Sequence, residues 1–329
     1  LQNQYRVAIR LSREALEIRT QLGDTEGRAD ILCGLAQLHQ LQNEYNEAIK
    51  LYYDTLEIRT NLGDKEGRAG ALCGLAQVHR LQDEYEKAIP LYSEALEIRT
   101  ELDDTAGRAD ALCGLADVRR RQGKYNETIP LYYEVLELRA NLGDQRCRAD
   151  TLCSLADVHR HQGQYNEAIS LYSEVLELCT NPADTRTRRH RADALCGLAE
   201  MHRLQSRYNE ATSLYGEALE IRTALSDREG RVDSLWGLAD VCQRQGKYTE
   251  AIPLYVEALQ LCTKLSDKKR RADVLCGLAE AHRLRFWYNM HSKGGRGLYQ
   301  NPGLDGYPPT EQRIAPFSRS LNSGSRNIL

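Results

Sequence analysis

Apolar positions along this chain fall at helical spacing, in two alternating registers. In residues 105–144, Leu112, Leu115, Ala116 and Arg119 recur three or four apart and predict an amphipathic helix, A. Gly123 interrupts the pattern, as a glycine just past a helix end does. Tyr125, Ile129, Tyr132, Leu136 and Arg139 follow at i, i+4, i+7, i+11 and i+14 and predict a second helix, B. Leu142-Gly143-Asp144 closes the unit. Asp104 or Thr105, with the equivalents Asp64 and Asp144, suits the N-cap of the helix A that follows. Pro90, Pro130 and Pro253 stand early in helix B, where they belong near the first turn or impose a mild kink.

The unit repeats. Tyr5, Tyr45, Tyr85, Tyr125 and Tyr165 are 40 residues apart, and after one step of 43 come Tyr208, Tyr248 and Tyr288. The three extra residues fall within PADTRTRRHR at 182–191, and an insertion that keeps the register on both sides is expected in a loop. The pentapeptide LCGLA at 32–36 returns at 72–76, 112–116, 195–199 and 275–279, as LCSLA at 152–156 and as LWGLA at 235–239. A nucleophile is needed once and a packing element in every unit, so Cys33, Cys73, Cys113, Cys153, Cys196 and Cys276 read as small, partly buried packing residues. Trp236 at the same position shows that the site tolerates bulk and borders a groove or surface.

Leu112, Leu115, Ala116, Gly123, Tyr125, Tyr132 and Leu136 resemble the signature of the tetratricopeptide repeat, a helix–turn–helix unit. The small residue of helix A is alanine (Ala36, Ala76, Ala116), and the aromatic three residues later is replaced by His39, His79, Arg119, His159, His202, Cys242 or His282. The terminal proline of the signature is missing, and the period of 40 is longer than that family's usual 34. This long form is similar to the arrays of kinesin light chains, G-protein-regulator scaffolds and the sensor regions of STAND-type nucleotide switches. The resemblance implies an all-α fold, an α-solenoid of stacked helix–turn–helix repeats forming a right-handed superhelix. The expected organisation is a half repeat at 1–24, full repeats at 25–64, 65–104, 105–144, 145–184, 185–227 and 228–267, and a partial repeat at 268–289. Residues 290–329, rich in Gly, Pro, Ser and Asn and without a period, are expected to be a disordered basic tail. Helix A of the last unit is expected to end near Leu284, and the opening of the sequence on a helix B predicts a piece of a longer array.

Composition narrows the function classes. The 329 residues carry a formal charge of −3; the tail holds five cations against two acids, which leaves −6 on the array. Ten cysteines without a secretory pattern point to a reducing, cytoplasmic setting, and no apolar run has the roughly 20 residues of a membrane span. Arg186, Arg188, Arg189, His190 and Arg191 are too local for a nucleic-acid site on an acidic array. No P-loop, HExxH or triad-like set occurs, so neither an enzyme nor a cofactor is expected. The histidines are too far apart between units to share a metal, and equivalent cysteines are too far apart to pair.

The polar face of helix A remains. Asp110, Asp117 and Arg120 share one stripe at i, i+7 and i+10. It returns as Asp150, Asp157 and Arg160; as Asp193, Glu200 and Arg203; as Asp233, Asp240 and Gln243; and as Asp273, Glu280 and Arg283. The resemblance implies that this stripe lines a concave groove for a peptide or helix, with Cys113, Cys153 and Trp236 beside it. Eleven acids against five arginines predict a basic or mixed-charge protein partner. The competing expectations are a solvated face with i,i+3 ion pairs, the sensor part of a larger NTPase switch, and a rod that self-associates through uncapped ends.

Overall fold

The structure, a computed structural model, describes residues 2–181, 183–265 and 267–293. Fourteen helices follow one another among the described residues, with no strand between them. They are α1 (Gln2–Gln21), α2 (Thr25–Leu41), α3 (Tyr45–Leu62), α4 (Lys65–Leu81), α5 (Tyr85–Glu101), α6 (Thr105–Arg121) and α7 (Tyr125–Asn141). Then come α8 (Gln145–His161), α9 (Tyr165–Leu178), α10 (Thr185–Leu204), α11 (Tyr208–Ala224), α12 (Arg228–Arg244), α13 (Tyr248–Leu265) and α14 (Lys268–Lys293). Even-numbered helices are the A helices and odd-numbered ones the B helices. Each packs on the helix before and the helix after it, which is the all-α solenoid that the period predicts.

One left-handed residue makes each tight turn. Between A and B it is Asn43, Asp83, Gly123, Gly163, Ser206 or Gly246; between B and A it is Gly23, Gly63, Asp103, Gly143 or Ser226, with φ from 54° to 75°. Phe286 stands 40 residues after Gly246, and a bulky side chain disfavours that conformation. The last A helix therefore does not stop near Leu284 but runs on to Lys293. Met290–Lys293 of the expected tail belong to this helix, and the rest of the tail lies outside the described residues.

Six aspartates, Asp24, Asp64, Asp104, Asp144, Asp184 and Asp227, cap the A helices by accepting a backbone N–H. Asp184 accepts from Arg186, Thr187 and the Thr187 hydroxyl, so the helix restarts early. The three-residue insertion is thus helical rather than looped: α10 has 20 residues where α8 has 17, while α9 is cut to 14. Pro90, Pro130 and Pro253 lie inside their helices at the sixth position, past the first turn.

A tyrosine from each B helix from α3 to α13 fills the core. Tyr52, Tyr92, Tyr132, Tyr172, Tyr215 and Tyr255 are all buried. Their rings lie on the glycine of the next LCGLA: a Cβ at Gly114 would stand 2.3 Å from the Tyr92 ring, and one at Gly237 2.4 Å from that of Tyr215. The pentapeptide is therefore a seat for the preceding tyrosine. Successive A helices also touch one another (α2–α4, α4–α6, α8–α10, α10–α12 and α12–α14), whereas among the described residues no successive B helices are in comparable contact. The A helices thus form the more closely packed, inner face of the stack.

Candidate functional site

Two tiers of ion pairs run along that inner face. The upper tier starts from the arginine near the end of each B helix. Arg59 reaches Asp30 on its own A helix and Asp64 at the cap of the next, and Arg139 does the same with Asp110 and Asp144. Arg222 bonds Asp193 at 2.6 Å and the Gly230 carbonyl beyond it. Repeat four has Cys179 in this place, and the lengthened α10 supplies His190, whose Nε2 lies 2.7 Å from Asp150. Repeat six has Cys262, and Arg270 supplies the charge at 3.3 Å from Asp233. The first acids of the stripe from Asp30 to Asp233 are thus each paired with a cation.

The lower tier is more deeply buried. The Tyr132 hydroxyl donates to Asp117 at 2.6 Å, Tyr172 to Asp157 at 2.9 Å and Tyr215 to Glu200 at 3.1 Å. Arg80 lies 3.6 Å and Arg120 3.5 Å from Asp117. Arg160 bonds Asp157 at 3.3 Å, and Arg203 forks onto Glu200 at 2.6 and 2.7 Å. Arg203 also reaches Asp240 in the next repeat at 3.1 Å, where Arg244 joins at 2.8 Å. Burial alone would raise the carboxyls of Asp117 and Glu200; Arg120 and Arg80 for the first, and Arg203 for the second, hold them below the usual range and ionised.

Between the tiers lies the column of LCGLA cysteines. Cys153 and Cys196 are buried, while Cys33, Cys73 and Cys113 are partly open to the face. Burial pushes the Cys73 thiol up to about 11 and raises Cys113 and Cys153 as well, so these thiols are protonated and unreactive at neutral pH. The histidines of the A helices close the A–B turn instead: His39 Nδ1 pairs with Glu44 at 2.5 Å, His79 with Glu84 at 2.6 Å and His159 with Gln164 at 2.6 Å. No group of three or more potential ligands is placed to hold a metal ion among the described residues. None of the described helices is long and apolar enough to cross a membrane.

Asp157, Arg160, Glu200, Asp233 and Trp236, all singled out in the sequence, converge with Tyr172, Cys196, Gly197 and Tyr215 around one niche between α8, α10 and α12. Asp110, Cys113, Asp117 and Arg120 precede it along the face; Asp150, Cys153 and Asp193 lie at its level in the upper tier and floor, and Arg203 and Asp240 continue the lower tier. The sequence does not mark Arg59, Arg139, Arg222, His190 and Arg270 as partners of the stripe. Their signal is the 40-residue recurrence of arginine on helix B, broken at Cys179 and Cys262 where a nearby cation takes over.

Solved structures share this fold. A STAND protein with a tetratricopeptide repeat sensor from Pyrococcus horikoshii is 16% identical, with a TM-score of 0.69 over 88% of this chain and 44% of that one. The chain thus spans less than half the length of that protein. The apo form of the quorum sensor NprR from B. thuringiensis is 14% identical, with a TM-score of 0.63 over 87% of this chain and 80% of that one. A Rap protein complexed with competence and sporulation factor is 13% identical, with a TM-score of 0.54 over 86% and 87%. At such identities the likeness is one of fold. No curated protein matches the chain in sequence. The family model described as tetratricopeptide repeat matches residues 1–61, 27–101, 67–140, 107–181, 147–224 and 230–286, and the chain belongs to the tetratricopeptide repeat family.

Proposed function

We propose that the chain is a protein-interaction scaffold that holds a segment of a partner, extended or helical, along its inner face. One observation carries this: the charged side chains of that face are locked by internal pairs, so the surface is set before a ligand arrives. A preorganised surface loses little conformational freedom on binding. The Rap protein complexed with competence and sporulation factor, and NprR with its role as a quorum sensor, lend the reading support through a shared fold. The five cations of the upper tier, together with the five arginines of the stripe, nearly balance its eleven acids, so the fitting segment carries both signs of charge rather than being uniformly basic. Ten free cysteines fit a reducing compartment.

The test is a selection of displayed segments followed by obstruction of the face. Cys113→Trp places on the floor the residue that Trp236 already contributes at the same repeat position. It should weaken selected segments by about tenfold, or about 1.4 kcal/mol. Tyr133→Ala on an exposed part of α7 should leave them unchanged. Segments that respond to Tyr133 and ignore Cys113 would remove the assignment. A second reading, favoured by the likeness to the STAND sensor, is that the array forms the sensing part of a larger nucleotide switch. A Walker-type loop encoded in the same reading frame would support it.

A further inference from the structure

Within that groove, and resting on that reading, we propose that the niche between α8, α10 and α12 takes one cationic side chain of the bound segment, a guanidinium in preference to an ammonium. Its lining carries three carboxylates, Asp157, Glu200 and Asp233, against one guanidinium, Arg160. The cations that pair with the other two acids come from outside the lining: Arg203 forks onto Glu200, and Arg270 stands 3.3 Å from Asp233.

Asp157 is the most deeply buried of the three. Its side chain is 3% exposed, and its Oδ1 accepts from Tyr172 and Arg160. Its Oδ2, like Asp233 Oδ1, is buried with no hydrogen-bond partner in the chain. Arg120, across the repeat boundary, interacts with the charge of Asp157 but donates no hydrogen bond to its Oδ2. A buried carboxylate oxygen lacking a donor is costly, so a ligand that supplies one gains what the fold left unsatisfied. An anionic ligand group would meet three carboxylates, and an apolar one would leave Oδ2 as it is. A guanidinium offers five donors in one plane and sheds water more readily than an ammonium. It can donate to Oδ2 while its flat body lies along the wall that Trp236 provides.

The niche also answers a question of register. Nearly identical repeats would let a segment slip by one unit. Trp236 replaces the cysteine found at 33, 73, 113, 153, 196 and 276, so this wall is built once along the array. A single anchoring arginine would then fix the register.

Trp287→Phe leaves Trp236 as the sole tryptophan, and its emission reports the niche. This variant is titrated with N-acetyl-arginine methylamide and with its lysine and citrulline counterparts. Arginine should give a saturable change with a Kd of about 1 mM, the range a ligand of this size supports. Lysine should bind about fivefold more weakly, and citrulline, which keeps the shape and loses the charge, should give no saturable change. Asp157→Asn should weaken arginine by about tenfold with an unchanged far-UV spectrum. Trp236→Cys restores the residue of the other repeats, and should weaken arginine similarly when followed by calorimetry. Equal binding of citrulline, no saturation by about 50 mM arginine, or full affinity in a folded Asp157→Asn or Trp236→Cys protein would overturn the proposal. If displayed segments still respond to Cys113→Trp while the arginine probe fails, the niche assignment falls and the groove stands; failure of both removes the groove as well.

Discussion

At the scale of single residues, His190 shows how the array repairs a lost contact. Cys179 cannot make the clamp that Arg139 or Arg222 makes, and Asp150 would be left without its cation. The imidazole from the next A helix fills the gap. Burial alone would lower its pKa; the bonds with Asp150 and Cys179 outweigh burial and raise it to about 9, against 6.5 for a free histidine. A group whose pKa is higher in the folded state contributes its stability fully below the unfolded value and loses it as pH rises through the folded one. The contribution is thus complete below about pH 6.5, falls between there and about pH 9, and is absent above. It amounts to about 3 kcal/mol from a shift of this size. His190→Gln should lower the urea midpoint at pH 6 and should match the parent protein at pH 10. An equal difference between the two proteins at both pH values would mean that the charge of His190 is not what stabilises the fold.

At the scale of elements, the glycine of LCGLA and the turn residues decide how each helix pair closes. Ser154 already occupies the glycine slot opposite Tyr132, and that tyrosine is fully buried all the same. A small side chain is therefore accommodated by a slight shift of the ring. Gly114→Ser should cost less than about 1 kcal/mol, while Gly114→Leu, which must displace Tyr92 altogether, should cost about 3 kcal/mol by thermal or urea unfolding. Equal losses for the two would refute the seat. In the turns, Ser206 and Ser226 hold φ of 61° and 55°, and replacing either with glycine should stabilise by about 0.5–1 kcal/mol. Helix pairing, the tyrosine core and the capping aspartates were legible because each repeats every 40 residues within a local pattern. The helical insertion was not: register fixes only that three residues are extra, and the Asp184–Thr187 cap that recruits them into α10 is a geometric event. Nor were the partners of Asp110, Asp150, Asp193 and Asp233 legible, because they meet only once A and B have packed. Arg139 lies 29 residues from Asp110 in sequence. The count of eleven acids to five arginines therefore overstated how acidic the face is.

At the scale of the molecule, stability in a stack of this kind is a sum of repeat terms and nearest-neighbour terms, so cooperativity is only as strong as the weakest junction. Most B-end arginines clamp three helices: Arg139 ties α7 to α6 through Asp110 and to α8 through Asp144. At the fourth junction α9 is three residues shorter than α7, and its Cys179 makes no such ion pair. There, beside a longer, more exposed pair between Arg146 and the α10 cap Asp184 at 3.8 Å, the buried His190–Asp150 contact at 2.7 Å links α10 to α8. Removing it should uncouple the repeats before the junction from those after it. Both tryptophans, Trp236 and Trp287, lie after it, so fluorescence follows that half while far-UV ellipticity follows the whole. In the parent protein the two probes should trace one urea transition, as a cooperative unit requires. In His190→Ala they should separate, and hydrogen exchange should place the split between Leu178 and Thr185, the span between α9 and α10. Coincident transitions in the variant would mean that apolar packing between α9 and α10 carries the coupling, with the ion pair contributing little. Separated transitions would mean that one substituted contact, set where the repeat pattern is broken, determines whether the solenoid unfolds as one body or as two.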